Sequence, residues 1–169
     1  MDTIECILTR RSIRKYKREP VPEEVIKELL EAAMQAPSAR NEQPWHFVVI
    51  KEREILDAIP KFHPYSQMLR EAPLAILVCG DCQLAKDIGY IVQDCAAATQ
   101  NILLAVHSKG LGAVWLGIYP RAERIAGIRQ LLNIPEHIIP ISLIAIGYPA
   151  EAKPPERRYN ATRIHNNRW

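Results

Sequence analysis

The chain is poor in the residues that announce many common chemistries. It has seven glycines in 169 residues, and they make no P-loop; Gly110-Leu111-Gly112 fails as a dinucleotide fingerprint because Trp115 stands where the third glycine is required. Four cysteines, at 6, 79, 82 and 95, are too few and too irregular for a disulfide framework in a domain of this size. Cys79-Gly80-Asp81-Cys82 has the spacing of a redox pair or of half a zinc site. No second such pair completes four ligands, so packing thiols are the expectation, with a redox or metal role left open. The five histidines are scattered and never form HExxH, and no GxSxG occurs, which leaves zinc-hydrolase and serine-hydrolase readings unsupported. No apolar run approaches the roughly 18 residues of a membrane span, and Asp2 and Glu5 interrupt any signal-peptide pattern. The expected location is therefore cytoplasmic, with no membrane partner. Aromatics are only 7% and do not interleave with the basic residues, which argues against a nucleic-acid partner.

What the chain does have is core material and an uneven charge. Its apolar content of 48% is normal for a globular protein, and the length suits one domain spanning 1–169. Residues 1–18 carry six Lys/Arg against two acids, residues 151–169 five against two, and the middle eleven against fifteen. Two basic ends flanking a mildly acidic body suit a compact anion such as a phosphate, although solvated basic tails would give the same count.

Ile4, Ile7 and Leu8 predict a short helical face ending near Arg10. Pro22 followed by Glu23 and Glu24 opens a second helix, whose stripe is Val25, Ile26, Leu29, Leu30 and Ala33 and which Pro37 stops. Residues 46–51 and 74–79 read as interior strands, separated by a charged segment of broken helix and loop over 52–70. The longest helix is expected over 87–108, apolar around most of its circumference and so in need of cover on several sides. Gln93, Asp94, Gln100 and Asn101 on that helix read as polar contacts in a dimer seam. A strand over 113–118, a helix over 121–132 and a last strand over 138–146 follow. Pro149, Pro154 and Pro155 then mark an extended tail over 148–169. Strict βαβ alternation is missing, which favours an α+β sandwich.

Two patches carry the chemistry. Arg10-Arg11-Ser12-Ile13-Arg14 offers three guanidinium groups and a hydroxyl within five residues, enough for several charge-assisted bonds to one phosphate. Residues 36–45, Ala-Pro-Ser-Ala-Arg-Asn-Glu-Gln-Pro-Trp, form a polar, proline-punctuated loop running into a strand, with amides able to read the edge of a planar ring. Taken alone, the first is also a basic helix end on its own dipole, and the second is also plain turn chemistry.

In order and spacing these patches resemble the nitroreductase family of FMN-dependent oxidoreductases. Further blocks resembling it lie over 93–120 and 147–169. The resemblance implies an α-β-α sandwich with a central mixed, mostly antiparallel sheet, in an intertwined homodimer with a C-terminal extension. It implies that Arg10, Ser12 and Arg11 hold the FMN phosphate and ribityl chain. Arg14 would lie near N1 and O2 of the ring, where a fixed cation favours the reduced flavin. Pro37 and Ser38 would reach across the dimer to the partner's flavin, with Asn41 and Gln43 beside them. Trp45 is read as core. Leu116 and Gly117 would flank N5, with Leu116 replacing an acidic residue of larger members. Arg158 best matches a C-terminal phosphate clamp; Arg157 or Lys153 would supply the second charge, because Glu156 occupies its usual place.

The implied activity is two-electron, ping-pong transfer from NADH or NADPH through FMN to a small-molecule acceptor such as a nitroaromatic, quinone, flavin or enone. No metal and no protein general base are called for. Two alternatives stand beside it: an FMN-binding protein for storage, sensing or electron relay without NAD(P)H turnover, and a specialised reductive dehalogenase or flavin-modifying member.

Overall fold

A computed structural model describes residues 1–169. Its elements are helix α1 (Thr3–Thr9), helix α2 (Glu23–Met34), strand β1 (Trp45–Ile50), helix α3 (Arg53–Ala58), strand β2 (Leu74–Asp81), helix α4 (Ile88–Ser108), strand β3 (Gly112–Gly117), helix α5 (Ala122–Leu132) and strand β4 (Ile138–Gly147). Short 3-10 turns at Ala39–Asn41, Ile59–Lys61, Gln67–Arg70 and Ala161–Arg163 join or follow them. Each segment expected from periodicity is present, with ends shifted by one or two residues. The stretch 52–70 is indeed broken: one short helix and two 3-10 turns, interrupted around Pro60 and Pro64.

The four strands run in the order β1-β2-β4-β3, and every ladder between them is antiparallel. Parallel pairing is confined to one bridge, Ser12 to Ala113. β2 is buried along its whole length, so its apolar run divides by period two between the faces. Leu74, Ile76 and Val78 join the core beneath α2 and α4; Ala75, Leu77 and Cys79 join a second core with α3 and α5. This is the α-β-α layering anticipated above.

Pro140 lies in a central strand, where a missing N–H would normally break a ladder. It is tolerated because the β2–β4 register shifts there: Val78 pairs with Ser142 and Cys79 with Pro140, leaving Ile141 as the extra residue. The Ile141 carbonyl then accepts from Ile118 N at 3.2 Å and Tyr119 N at 3.1 Å, which terminates β3 just beyond Gly117.

Helix α4 packs its apolar side on the sheet and ties to β4 through a buried Thr99–Ser142 hydroxyl contact of 2.7 Å. Asn101 donates to the Ala32 carbonyl of α2 at 2.9 Å, and Asp94 accepts from Ala39 N at 3.1 Å. These two polar residues, expected in a dimer seam, therefore make contacts inside the chain. Helix α1 forms as expected, capped by the Asp2 carboxylate, but Ile4, Ile7 and Leu8 point outward and only Cys6 is buried.

After β4 the chain turns back along residues 12–17. Lys17 N donates to the Tyr148 carbonyl and Ala150 N to the Lys15 carbonyl, both at 2.9 Å, around a Tyr16–Pro149 antiparallel bridge. From Pro154 to Trp169 every residue is exposed.

Candidate active site

The arginine patch is positioned by β3. Ile13 N donates to the Ala113 carbonyl at 2.9 Å, and a Cβ at Gly112 would lie 2.7 Å from Ile13 Cγ2, so a glycine is needed for so close an approach. The patch leaves the helix end extended, and its arginines divide between two clefts, Arg10 and Arg11 in one and Arg14 in the other.

The smaller cleft, about 160 Å³, is lined by Arg10, Arg11, Arg158, Glu156 and the apolar Ile7, Leu8 and Tyr159. Arg10 is held below its usual pKa by burial and by the neighbouring Arg158 and Arg11 charges. A crowded cationic cleft of this kind favours an anion. In this chain the anion at hand is Glu156, which accepts from Arg11 at 2.7 Å with one oxygen and from Arg158 at 2.8 and 3.1 Å with the other. Those contacts, Arg158 first, lower its pKa. Arg11 also donates to the Pro154 carbonyl, which fixes the tail over the patch.

The larger cleft, about 410 Å³, contains Arg14, Leu116 and Gly117. A Cβ at Gly117 would meet nothing within 4 Å, so the missing side chain leaves open space at the end of β3. The Gly117 carbonyl is held from two sides, by His63 Nε2 at 3.0 Å and by an Arg124 N–H at 2.8 Å. His63 is buried, and burial, opposed by its bond to Gly117 and helped by the Arg124 charge, keeps it neutral-leaning, with its pKa lowered. Tyr65, Gln67, Met68 and Trp115 complete the wall.

Ser12 lies between the clefts with its carbonyl accepting from Lys153 Nζ at 2.8 Å, and Lys153 pairs with Glu151 at 3.2 Å. Lys153 is thereby committed elsewhere, and Arg157 is exposed and lines neither cleft. Of the three tail cations, Arg158 shares the smaller cleft with Arg10 and Arg11, and Lys153 meets the patch at the Ser12 carbonyl.

The loop carrying Pro37, Ser38, Asn41 and Gln43 lines neither cleft. It is nevertheless stiff. Arg40, Asn41 and Gln43 hold φ of 53°, 55° and 48°, a region that costs a non-glycine residue of order 1 kcal/mol or more. Ser38 Oγ accepts from Gln43 N at 3.0 Å, Gln43 Nε2 donates to Asn41 Oδ1 at 2.8 Å, and Asp94 holds Ala39 N. Strain maintained by this many bonds implies a loop kept in one shape. Trp45, at its end, is core as expected.

The sequence reading missed His63, Tyr65, Gln67 and Arg124. They come from the broken segment and from α5, and nothing in their spacing joins them to the arginine patch. The one available signal was a proline-punctuated polar stretch too long for a simple connection.

Three of the four cysteines are buried. Burial pushes Cys79 and Cys95 up to about 12, all four are free, and no cluster of ligating side chains capable of holding a metal is present. Only Cys82 is partly exposed. Iodoacetamide at pH 8 should thus add one label, at Cys82, to the folded protein and four after unfolding; mass spectrometry of the native adduct checks this, and labelling at Cys79 would overturn it.

The class that the fold and site define is an α-β-α sandwich with arginine-bearing clefts and an open glycine-ended strand. Comparison with known proteins narrows it. The family model for the nitroreductase family matches residues 7–65 and 60–148. A protein of Methanothermobacter thermautotrophicus provisionally named NADH dehydrogenase/NAD(P)H nitroreductase is 55% identical over 169 residues, covering 100% of this chain and 88% of that protein. A crystal structure from Parabacteroides distasonis, with the same provisional name, superposes with a TM-score of 0.95 at 44% identity, covering 99% of this chain and 98% of that one. A protein of Desulfovibrio desulfuricans provisionally named a nitroreductase, solved in complex with FMN, superposes with a TM-score of 0.86 at 34% identity, covering 100% of this chain and 99% of that one. The chain belongs to the nitroreductase family.

Proposed function

We propose that this protein is an FMN-dependent NAD(P)H oxidoreductase that reduces small electrophilic acceptors, nitroaromatics and quinones among them. The observation that carries the reading is the division of one five-residue patch between two clefts, Arg10 and Arg11 in one and Arg14 in the other. The first cleft has the charge and size for a phosphate, and the second has a cation and an open strand end suited to a planar ring. The residues present therefore fit FMN. Bound there, FMN would supply two-electron transfer between NAD(P)H and the acceptor.

The chain's own part is to bind and orient. Arg10, Arg11 and Arg158 hold the phosphate by charge-assisted hydrogen bonds. Arg14 keeps a positive charge at the ring, where it favours the reduced state. Gly117 lets the ligand approach the backbone, and His63 and Arg124 fix the peptide carbonyl behind it. No side chain is required as a general base.

The protein acts as a homodimer. The strained loop with Pro37, Ser38, Asn41 and Gln43 lines neither arginine cleft of its own chain. Ile4, Ile7 and Leu8 on α1, and Tyr159, Ile164 and Trp169 on the tail, expose apolar surface that a second copy would cover. The purified protein should be yellow, release FMN on denaturation, and bleach anaerobically with NADH or NADPH. A protein that cannot be loaded with FMN would overturn the reading; one that loads but is not reduced by either nucleotide would be a flavin carrier instead.

Glu156 competes with the phosphate for Arg11 and Arg158. Glu156→Gln keeps the shape and removes the charge, so FMN should bind several-fold more tightly at pH 7. Its depressed pKa sets the sign of the pH dependence: the competing carboxylate is present at neutral pH and disappears only as pH falls through that lowered value. The gain from Glu156→Gln should therefore persist across pH 6 to 8 in flavin-fluorescence titrations. Weaker binding would mean that Glu156 orients the arginines rather than blocking them.

A further inference from the structure

Arg124 is the second cation of the larger cleft, and in the cofactor reading it does no more than hold the Gly117 carbonyl. One of its terminal N–H groups is held by the Gly117 carbonyl at 2.8 Å, its carbon sits 5.5 Å from the centre of the Tyr65 ring, and its Nε is buried without an acceptor. A buried guanidinium N–H with nothing to bond is costly until an acceptor arrives. Neither Arg14 nor Arg124 has a carboxylate partner, and no Asp or Glu lines the cleft. This cleft therefore holds an uncompensated positive charge next to the Tyr65 and Trp115 rings.

We propose that Arg124 selects electron acceptors that carry an anionic group on a planar ring, an aromatic carboxylate being the simplest class. The inference rests on the acceptor reading given above and deepens it. Arg14 faces the ring of the cofactor in that reading, while Arg124, anchored on Gly117 and flanked by Tyr65, stands beside the same strand end with donors to spare. A planar fork suits a carboxylate, and Tyr65 holds the guanidinium plane in place. The acceptor's ring would be covered by Met68 and Trp115. With a nitro acceptor the first two-electron step balances as nitroarene, NAD(P)H and a solvent proton giving nitrosoarene, NAD(P)+ and water; one N–O bond breaks, and the hydride's electron pair comes from the nicotinamide. The carboxylate takes no part in that balance and serves only to orient the ring.

The test compares kcat/KM for 4-nitrobenzoate and its uncharged methyl ester, with the FMN-loaded protein and saturating NADH or NADPH. The acid should be preferred by about tenfold in the wild type, the scale of one charge-assisted hydrogen bond. The preference should collapse in R124Q and survive in large part in R124K. The ratio within each variant is the readout, so a general loss of activity does not disturb it. A second measurement needs no variant: benzoate should compete with the acceptor more strongly than benzamide does. Wild-type preference for the ester, a ratio unmoved in R124Q, or equal inhibition by benzoate and benzamide would each overturn the inference while leaving the oxidoreductase reading intact. A wild-type protein that is reduced by NAD(P)H yet turns over neither nitro compound nor quinone would overturn the acceptor reading, and this inference with it.

Discussion

Alanine at Arg10 or Arg158 is expected to weaken FMN binding by about 1.5 to 3 kcal/mol, the cost of one hydrogen bond to a charged group, or roughly ten- to 150-fold in Kd. Both side chains line the smaller cleft, yet they start from different positions. Arg10 has no carboxylate partner, and its charge is already disfavoured by burial and by Arg158 and Arg11, so an arriving phosphate relieves repulsion as well as making bonds. Arg158 must first leave Glu156, a contact of 2.8 Å on an exposed tail. Its removal also leaves Glu156 free to remain on Arg11, at 2.7 Å, so the loss should reach the upper end of the range. Adding Glu156→Gln to Arg158→Ala should recover part of the affinity. Flavin-fluorescence titration at one fixed ionic strength decides the matter, because exposed charges are screened by salt. Changes below threefold in both single variants would move the phosphate elsewhere.

Leu143→Ala is expected to lower the unfolding free energy by about 2 to 5 kcal/mol, the usual range for a leucine emptied from a core. Leu143 is fully buried in β4 and pairs with Leu77 on one side and Leu116 on the other, so the row Val48, Leu77, Leu143, Leu116 crosses the whole sheet on one face. The cavity would open directly beside the strand that ends in Gly117. Part of the cost should therefore return on adding FMN, which stabilises by mass action, about 2.7 kcal/mol at a hundredfold excess over Kd. Equilibrium unfolding in urea at fixed protein concentration, with and without FMN, measures both parts. A loss under about 1 kcal/mol would mean that the sheet collapses around the gap and that the row is not a rigid support.

The comparison between sequence and fold is instructive where it diverges. Asp94 and Asn101 read as seam residues because they are polar on an apolar helix, but each finds a backbone group within its own chain. Helical periodicity marks which side of a helix is polar; it does not say whose backbone will meet it. The apolar face of α1 is the converse case, correctly periodic yet left outside the single chain. Arg157 and Arg158 are neighbours of the same charge, and only the path of the tail, fixed by the Tyr16–Pro149 bridge and the bond from Arg11 to Pro154, brings the second and not the first to the patch.

The elements, the α+β class, the family and the arginine patch are legible in the order of the amino acids, because each is encoded locally: a period of two or 3.6, a proline or glycine stop, or a cluster of like side chains within five residues. Tertiary structure alone decided that the patch is shared between two clefts, that Glu156 sits on the arginines, and that His63 from a broken segment and Arg124 from α5 meet at one carbonyl of β3. Those contacts join residues seven to 145 positions apart. Their formation depends on how helices and tail pack across a twisted sheet, and that packing leaves no periodic trace in the order of the amino acids.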